Sequence, residues 1–317
     1  MTSKPLLSVH LLTYNCENYI DETLQSILKQ NTTFKFEIVI GDDNSTDSTP
    51  SILELYSKKN PNLINYKQNK EQLGILKNFK TTLDRCSGDY VFDIAGDDCL
   101  KQEYALQKMV DTISKKPNLG FIDSGYDSLF MKTKKVKPFD NKKQITSSKT
   151  HYKHLVLTGQ IYPIGICYNR AHLLNYVDFE KYLEMKISFE DYPILVDLLM
   201  NTDFERINES LHVYRIHTDS YSHKKDLKLQ LDLLEQMQNL VKFFSNKYSL
   251  PSTVLSDYKK SSNKTKLYFA GFFGDKILGK TMYLVLKGNR SFSDFINYLS
   301  SQLLFFRKLQ SLFRKVK

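Results

Sequence analysis

For its first 130 residues the chain alternates short apolar runs with helically spaced stretches. Leu6–Thr13 (LLSVHLLT) predicts a buried strand, and Ile20, Leu24, Ile27 and Leu28 then recur at helical spacing across Asn18–Leu28. Phe36–Ile40 (FEIVI) predicts a second strand that ends in the turn-rich GDDNSTDSTP. Pro50 suits the first turn of the helix that follows, carrying Ile52, Leu53 and Leu55. Leu63–Tyr66 reads as a third strand, Leu73–Leu83 as a helix, and Tyr90–Ala95 as a fourth strand after the Gly88-Asp89 turn. A helix over Gln102–Ser114 and a strand over Leu119–Asp123 complete the pattern. Strand and helix in this rhythm predict the α/β class, with a mostly parallel sheet and helices on both faces.

The later chain is less regular. Residues 131–150 (MKTKKVKPFDNKKQITSSKT) are polar and Lys-rich, which predicts a surface loop near the active site. Asp191–Met200 has a helical pattern and Glu209–Ile216 a strand pattern. Beyond Tyr221 everything reads as helix: Leu227–Phe244, a continuous amphipathic stretch over Thr265–Leu286, and Ser291–Lys317. The predicted division is an α/β domain at 1–222 and a helical region at 223–317, basic and amphipathic at 291–317.

Composition narrows the class. Hydrophobic residues make up 41% of 317, enough to bury a core, which excludes global disorder. Tyr and Phe number 20 each and Trp is absent, so rings are available to stack on sugars or bases. A formal net charge of +10 favours anionic partners: nucleic acid, nucleotide phosphates or an anionic membrane. Cys16, Cys86, Cys99 and Cys167 form no C-x-x-C pair, which argues against a zinc site or a disulfide framework and for a reducing, cytoplasmic setting. The N-terminal apolar run is too short for a signal peptide, and no uninterrupted apolar stretch is long enough to span a bilayer. A soluble protein, or one peripheral on a membrane, is expected.

Open parallel sheets bind ligands beyond the carboxyl ends of their strands. Two acid clusters fall there. Asp42 and Asp43 follow the second strand, where a carboxylate can accept hydrogen bonds from a base or ribose. Read blandly, Asn44–Asp47 is only a turn and a helix cap. Gly96-Asp97-Asp98 follows the fourth strand, and adjacent acids there suit Mg²⁺ or Mn²⁺ shared with phosphates. The bland reading is again a capped turn. A third pair, Glu190-Asp191, opens a predicted helix, where Asp191 reads as a general base, an N-terminal cap, or both.

Taken in order, SVHLLTYNCENYIDETLQSIL, FEIVIGDDNSTDST, LGILKNF, GDYVFDIAGDDC, FEDYPI and YRIHTDSYS resemble glycosyltransferase family 2, over residues 6 to about 222. The resemblance implies a GT-A fold and inverting transfer from a nucleotide-diphosphate sugar, UDP favoured, to a hydroxyl of a glycan or lipid-linked glycan. Residues 1–130 would bind the donor and 131–222 the acceptor. By position, Thr13, Tyr14 and Asn15 would end the strand that meets the nucleotide. Asp43 would serve the base with Asp42 beside it on the donor, Lys77 would lie near the nucleotide, and Asp97 would take the last place of the family's D-x-D motif. Asp191 matches the catalytic base, with Gly165 and Glu190 toward the acceptor. His217 falls where some relatives place a metal or phosphate contact, giving Asp97, Asp98 and His217 as the metal set. Ala95 departs from the motif, since it stands where D-x-D has its first acid, and Leu12 replaces the usual proline before the Thr-Tyr-Asn.

Other classes fit less well. A nucleotidyltransferase would carry a Gly-rich basic loop after the first strand, where this chain has TYNCENY. A nucleic-acid-binding protein would interleave basic and aromatic residues, whereas here the basic residues gather in one loop and the tail. An inactive member that only binds donor is a further alternative. Gly274 to Thr281 (GDKILGKT) matches the P-loop letter pattern but lacks the strand before it. Ser291–Lys317 reads either as a helix packed on its own protein or in a homodimer, or as an interfacial helix on anionic lipid.

Overall fold

A computed structural model describes residues 4–139, 148–161, 163–217 and 224–309. The chain divides into two compact units, 1–156 with 160–217, and 157–159 with 218–317.

The first unit is built on one sheet of order β3-β2-β1-β4-β8-β6-β9-β5, with β7 pairing β6. β1 (Leu7–Thr13), β2 (Phe36–Asp42), β3 (Ile64–Gln68) and β4 (Tyr90–Ala95) are all parallel. α1 (Ile20–Leu28), α2 (Thr49–Lys59) and α3 (Ile75–Leu83) make the crossovers, and Pro50 stands in the first turn of α2. β5 (Cys99–Leu100), α4 (Ala105–Ile113), β6 (Leu119–Phe130) and β7 (Lys135–Lys137) follow. Next come α5 (Lys149–Leu157), β8 (Cys167–Asn169), α6 (Arg170–Tyr176) and α7 (Phe179–Glu184). α8 (Asp191–Asn201) and β9 (Asp203–Ile216) close the unit. This half of the sheet is mixed: β8 runs antiparallel to β4 and β6, while β9 is parallel to β6.

Strand alternation puts helices on both faces. Leu7, Val9 and Leu11 of β1 join Ile20 and Leu24 of α1 and Met109 of α4 in one buried apolar cluster. Residue His10, pointing the other way, meets Phe79 of α3 at 4.5 Å between ring centroids. Each such fully buried aliphatic side chain contributes about 1.5–3 kcal/mol.

Several sequence boundaries shift. β6 runs to Phe130, seven residues past its predicted end, because its partner β9 begins at Asp203 and satisfies the polar stretch Ser124–Ser128 through the ladder. The Lys-rich segment predicted as a loop contributes β7 to the edge of β6, and residues 140–147 lie outside the described residues.

In the second unit, α9 (Leu227–Lys247) and α10 (Ser252–Phe273) precede α11 (Lys276–Val285) and α12 (Phe292–Gln302). The predicted continuous helix over Thr265–Leu286 is two helices. Gly274 adopts φ 80°, a left-handed C-cap, and the Asp275 side chain caps α11 through Leu278 N–H at 2.9 Å. The P-loop letters are therefore a helix stop and start. Ser291–Lys317 is also not one helix: α12 ends at Gln302, a further helical segment covers 304–309, and 310–317 lie outside the described residues. No described helix is long and apolar enough to cross a membrane.

Candidate active site at the sheet edge

The carboxyl ends of β2, β1 and β4 lie side by side, so Asp43, Thr13 and Asp97 share one edge. Asp43 N–H donates to Thr13 O at 2.9 Å, and Gly96 N–H donates to Leu12 O at 2.8 Å. These bonds extend the ladder one step past the strands and fix both acid loops.

The two acids after β2 have different tasks. Asp42 is fully buried, and its carboxylate accepts from Thr13 Oγ1 at 2.8 Å, Ser45 Oγ at 2.5 Å and Ser45 N at 2.9 Å. Those bonds are all internal, so Asp42 holds the loop, and Thr13 Oγ1 is spent on the same loop. Asn15 (φ 46°) takes the left-handed conformation Asn tolerates, and its Oδ1 accepts from Thr46 N at 2.8 Å. Tyr14, by contrast, is 44% exposed at the end of β1. Asp43 accepts from Leu73 N at 2.7 Å, Gly74 N at 3.0 Å and Asn69 Nδ2 at 3.3 Å, which ties it to the start of α3. Lys77 is exposed on that helix.

After β4 the short strand β5 pairs antiparallel with β9, Cys99 opposite Val213. This register carries the end of β9 onto the acid pair. His217 Nε2 lies 2.9 Å from Asp97 Oδ2, and Asp97 keeps 26% of its side chain exposed. Asp98 does not join them: it is buried, and its Oδ1 accepts from Arg215 N at 3.0 Å. Burial, then the neighbouring Asp97 charge, push its pKa well above the usual carboxylate range. Of the three residues expected at a metal, the structure brings Asp97 and His217 together and holds Asp98 apart on Arg215 N–H. Among the described residues no three His, Cys, Asp or Glu side chains gather to hold a metal ion alone. Two protein ligands with an open side nonetheless fit a cation that takes most of its oxygens from a diphosphate.

Glu190 and Asp191 stand at the start of α8, whose next eight residues are all buried. Glu190 is the N-cap residue but makes no side-chain cap bond, while Asp191 Oδ1 accepts from Tyr192 N at 2.6 Å. Burial, reinforced by the charge of Asp93, pushes the Asp191 pKa up to about 6 against the lowering effect of the Tyr192 and Asp191 backbone N–H groups. Glu190 is raised well above the carboxylate range by burial and then by Asp191 and Asp93. Asp93, on β4, therefore links the sheet to the start of α8. Gly165 (φ 65°) packs on His212: a Cβ there would lie 2.7 Å from the imidazole, so only glycine fits. Burial lowers the His212 pKa to about 3 and keeps that ring neutral.

Three features were not read from the sequence. His10 is fully buried opposite Asp93 in the β1–β4 ladder, with Nδ1 2.6 Å from Asp93 Oδ1 and Nε2 3.1 Å from Phe79 O. A carbonyl only accepts, so the Phe79 contact calls for Nε2 as the donor and leaves the Nδ1 side facing the Asp93 carboxyl. Arg215 is fully buried, donates from Nη1 to Asp97 O at 2.8 Å and pairs with Glu22. Burial, and then the Asp93, Glu190 and Asp191 charges, raise the pKa of the buried Tyr168. A charged residue alternating with apolar ones inside a predicted strand was the available signal for His10, Asp93 and Arg215.

The profile of glycosyl transferase family 2 matches residues 8–174, more than half of the chain. The chain belongs to glycosyl transferase family 2. Family relatives include an uncharacterised glycosyltransferase of Haemophilus influenzae, 29% identical over 71% of each chain. Chondroitin synthase of Escherichia coli is 24% identical over 81% of this chain and 36% of its own length. An uncharacterised Mycobacterium tuberculosis protein is 34% identical over 35% of this chain, and the match spans about a third (32%) of that relative. Among solved structures, residues 1–349 of Staphylococcus aureus TarS with UDP-GlcNAc align at TM-score 0.58 and 17% identity, covering 98% of this chain and 92% of that one. A Pyrobaculum calidifontis mannosyltransferase with GDP-Man and Mn²⁺ aligns at TM-score 0.57 and 15% identity, covering 98% and 81%. The family member therefore has the α/β, GT-A-like fold with a helical C-terminal region.

Proposed function

We propose that this glycosyltransferase moves a sugar from a nucleotide-diphosphate donor to an acceptor hydroxyl with inversion, and that Asp191 is its base. The observation that carries the reading is Asp191 itself: a half-buried carboxylate at a helix start, raised to about 6 and tied electrostatically to Asp93 on β4, the strand that leads into the Asp97 loop. Such a group is ionised at neutral pH yet more basic than an ordinary aspartate, as a general base should be.

In this reading Tyr14 and Asp43 receive the nucleoside, Tyr14 by its exposed ring and Asp43 by its remaining lone-pair capacity. Lys77 lies toward the phosphates. Asp97 and His217 would hold a divalent cation, Mn²⁺ or Mg²⁺, which when bound neutralises charge on the departing diphosphate. Asp191 takes the proton of the acceptor hydroxyl as its oxygen attacks the anomeric carbon. The bond from that carbon to the phosphate oxygen breaks, and its electron pair leaves with the nucleoside diphosphate. Attack from the face opposite the leaving group inverts the anomeric centre. Glu190 and the Gly165 turn belong to the acceptor side.

UDP-sugars are the favoured donors, since a fold neighbour is described with UDP-GlcNAc; another is described with GDP-Man and Mn²⁺. A glycan or lipid-linked glycan supplies the hydroxyl, and a role in polysaccharide assembly follows. Four free cysteines, all buried, support a reducing, cytoplasmic setting. A thermal-shift screen of nucleotide sugars with and without Mn²⁺ tests the donor. One nucleotide sugar should raise the melting temperature more with Mn²⁺ than without; no stabilisation by any of them contradicts the proposal.

A further inference from the structure

The second unit buries Leu240, Val241, Phe244 and Leu267 from its two long helices, but its last helices are packed inside out. α12 turns Asp294, Asn297, Ser300 and Ser301 inward, where all four are buried, and presents Phe292 (78% exposed) and Phe295 to the outside. α11 repeats the arrangement: Gly279 is buried, while Ile277 (82% exposed), Leu284 and Val285 face out along one helical stripe. The segment at 304–309 adds exposed Leu304 and Phe305. An amphipathic helix in water does the reverse, burying its apolar face.

The helices meet through small residues. A Cβ on Gly271 would lie 2.6 Å from Asn297 O, and one on Gly279 would lie 2.0 Å from Ser301 Oγ. Tyr283 and Tyr298 stack at 4.3 Å across the α11–α12 contact. Small and polar residues between helices, with large apolar ones outside, is how helices pack when the surrounding medium is itself apolar. Phenylalanines exposed to this degree on adjacent helices also exceed the scattered single exposures normal for a soluble surface.

Charge chooses the occupant. Residues 224–317 contain 18 Lys and Arg against 6 Asp and Glu, while residues 1–223 contain 27 against 29. The entire positive balance of the chain therefore sits in the unit with the apolar face. Lys280 is exposed within the α11 stripe, and Lys276 and Lys287 are exposed at its two ends. A second copy would bring like charge against like charge. Anionic lipid headgroups complement the lysines while the acyl region receives the apolar side chains.

We infer that α11, α12 and the 304–309 segment form a monotopic docking face for an anionic bilayer, entering the interface without crossing it. The inference is independent of the transfer chemistry. The test is flotation of the full chain with vesicles of phosphatidylglycerol and phosphatidylcholine, against phosphatidylcholine alone. Two double variants, Ile277→Ser with Leu284→Ser and Phe292→Ser with Phe305→Ser, are run beside it. Circular dichroism melts and donor-induced thermal shifts verify folding, which exposed positions should leave unchanged. The expected result is flotation with the anionic vesicles, reduced about tenfold or more by either double variant and by omitting the anionic lipid. Absence of flotation, or equal flotation of folded variants, overturns the inference. So does a dimer, seen by light scattering, that the same variants convert to monomer.

Discussion

Asp97 Oδ2 and His217 Nε2 lie 2.9 Å apart although 120 positions separate them in the chain. The β5–β9 ladder makes the contact, so the end of the last strand completes the acid loop of the fourth. If the pair holds the donor's cation, Asp97→Ala and His217→Ala should each remove the Mn²⁺-dependent part of the stabilisation by a nucleotide sugar. A ligand at a hundredfold excess over Kd stabilises by about 2.7 kcal/mol, which a melting experiment reads easily. Unchanged Mn²⁺ dependence in both variants contradicts the assignment.

The raised pKa of Asp191, about 6, sets a pH profile. Only the ionised carboxylate accepts a proton, so turnover at saturating donor should rise about tenfold per pH unit below 6 and level off above it. A rate that is flat from pH 4.5 to 8 is incompatible with Asp191 as base.

The same shift has a consequence for stability. An acid whose pKa is raised by folding costs stability when ionised. Asp191 ionises near 3.8 when unfolded and near 6 when folded. Its cost is absent below the first value, grows between them, and is complete above the second. Asp191→Asn should therefore be more stable than the parent at pH 8 by about 1–2 kcal/mol, with the difference vanishing near pH 3.5. Urea titrations at the two pH values measure it; a variant less stable at pH 8 than the parent counts against a raised Asp191 pKa.

Arg215 is the buried counter-charge of the acid loop, reaching Asp97 O and Glu22 while its own N–H binds Asp98. Arg215→Met keeps the volume and the backbone bond but removes the guanidinium. Glu22 is 71% exposed and returns to water, so the loss is that of the charged donor to Asp97 O, about 1.5–3 kcal/mol. The urea midpoint should fall accordingly, and a midpoint equal to the parent's would show that Arg215 is not the loop's support.

Much of the fold was legible because local pattern and final structure agree: β1, β2 and β4 are apolar runs, and the helices α1 and α3 between the strands carry their own apolar faces. The placement of Asp43, Asp97 and Asp191 at element ends was legible for the same reason. Where pairing partners decide, the sequence was silent. The polar end of β6 is a strand only because β9 lies beside it. Asp98 turns away from Asp97 because Arg215 N–H is in reach, and His10 meets Asp93 because the β1–β4 register sets them opposite. The stop at Gly274 escaped because the apolar spacing continues on both sides of it.

The central claim is that Asp191 serves chemistry and not donor binding. Asp191→Asn should bind the nucleotide sugar in calorimetry within a few-fold of the parent while transfer falls by about 10²–10⁴. Turnover equal to the parent's, or turnover lost together with donor binding, would contradict the account.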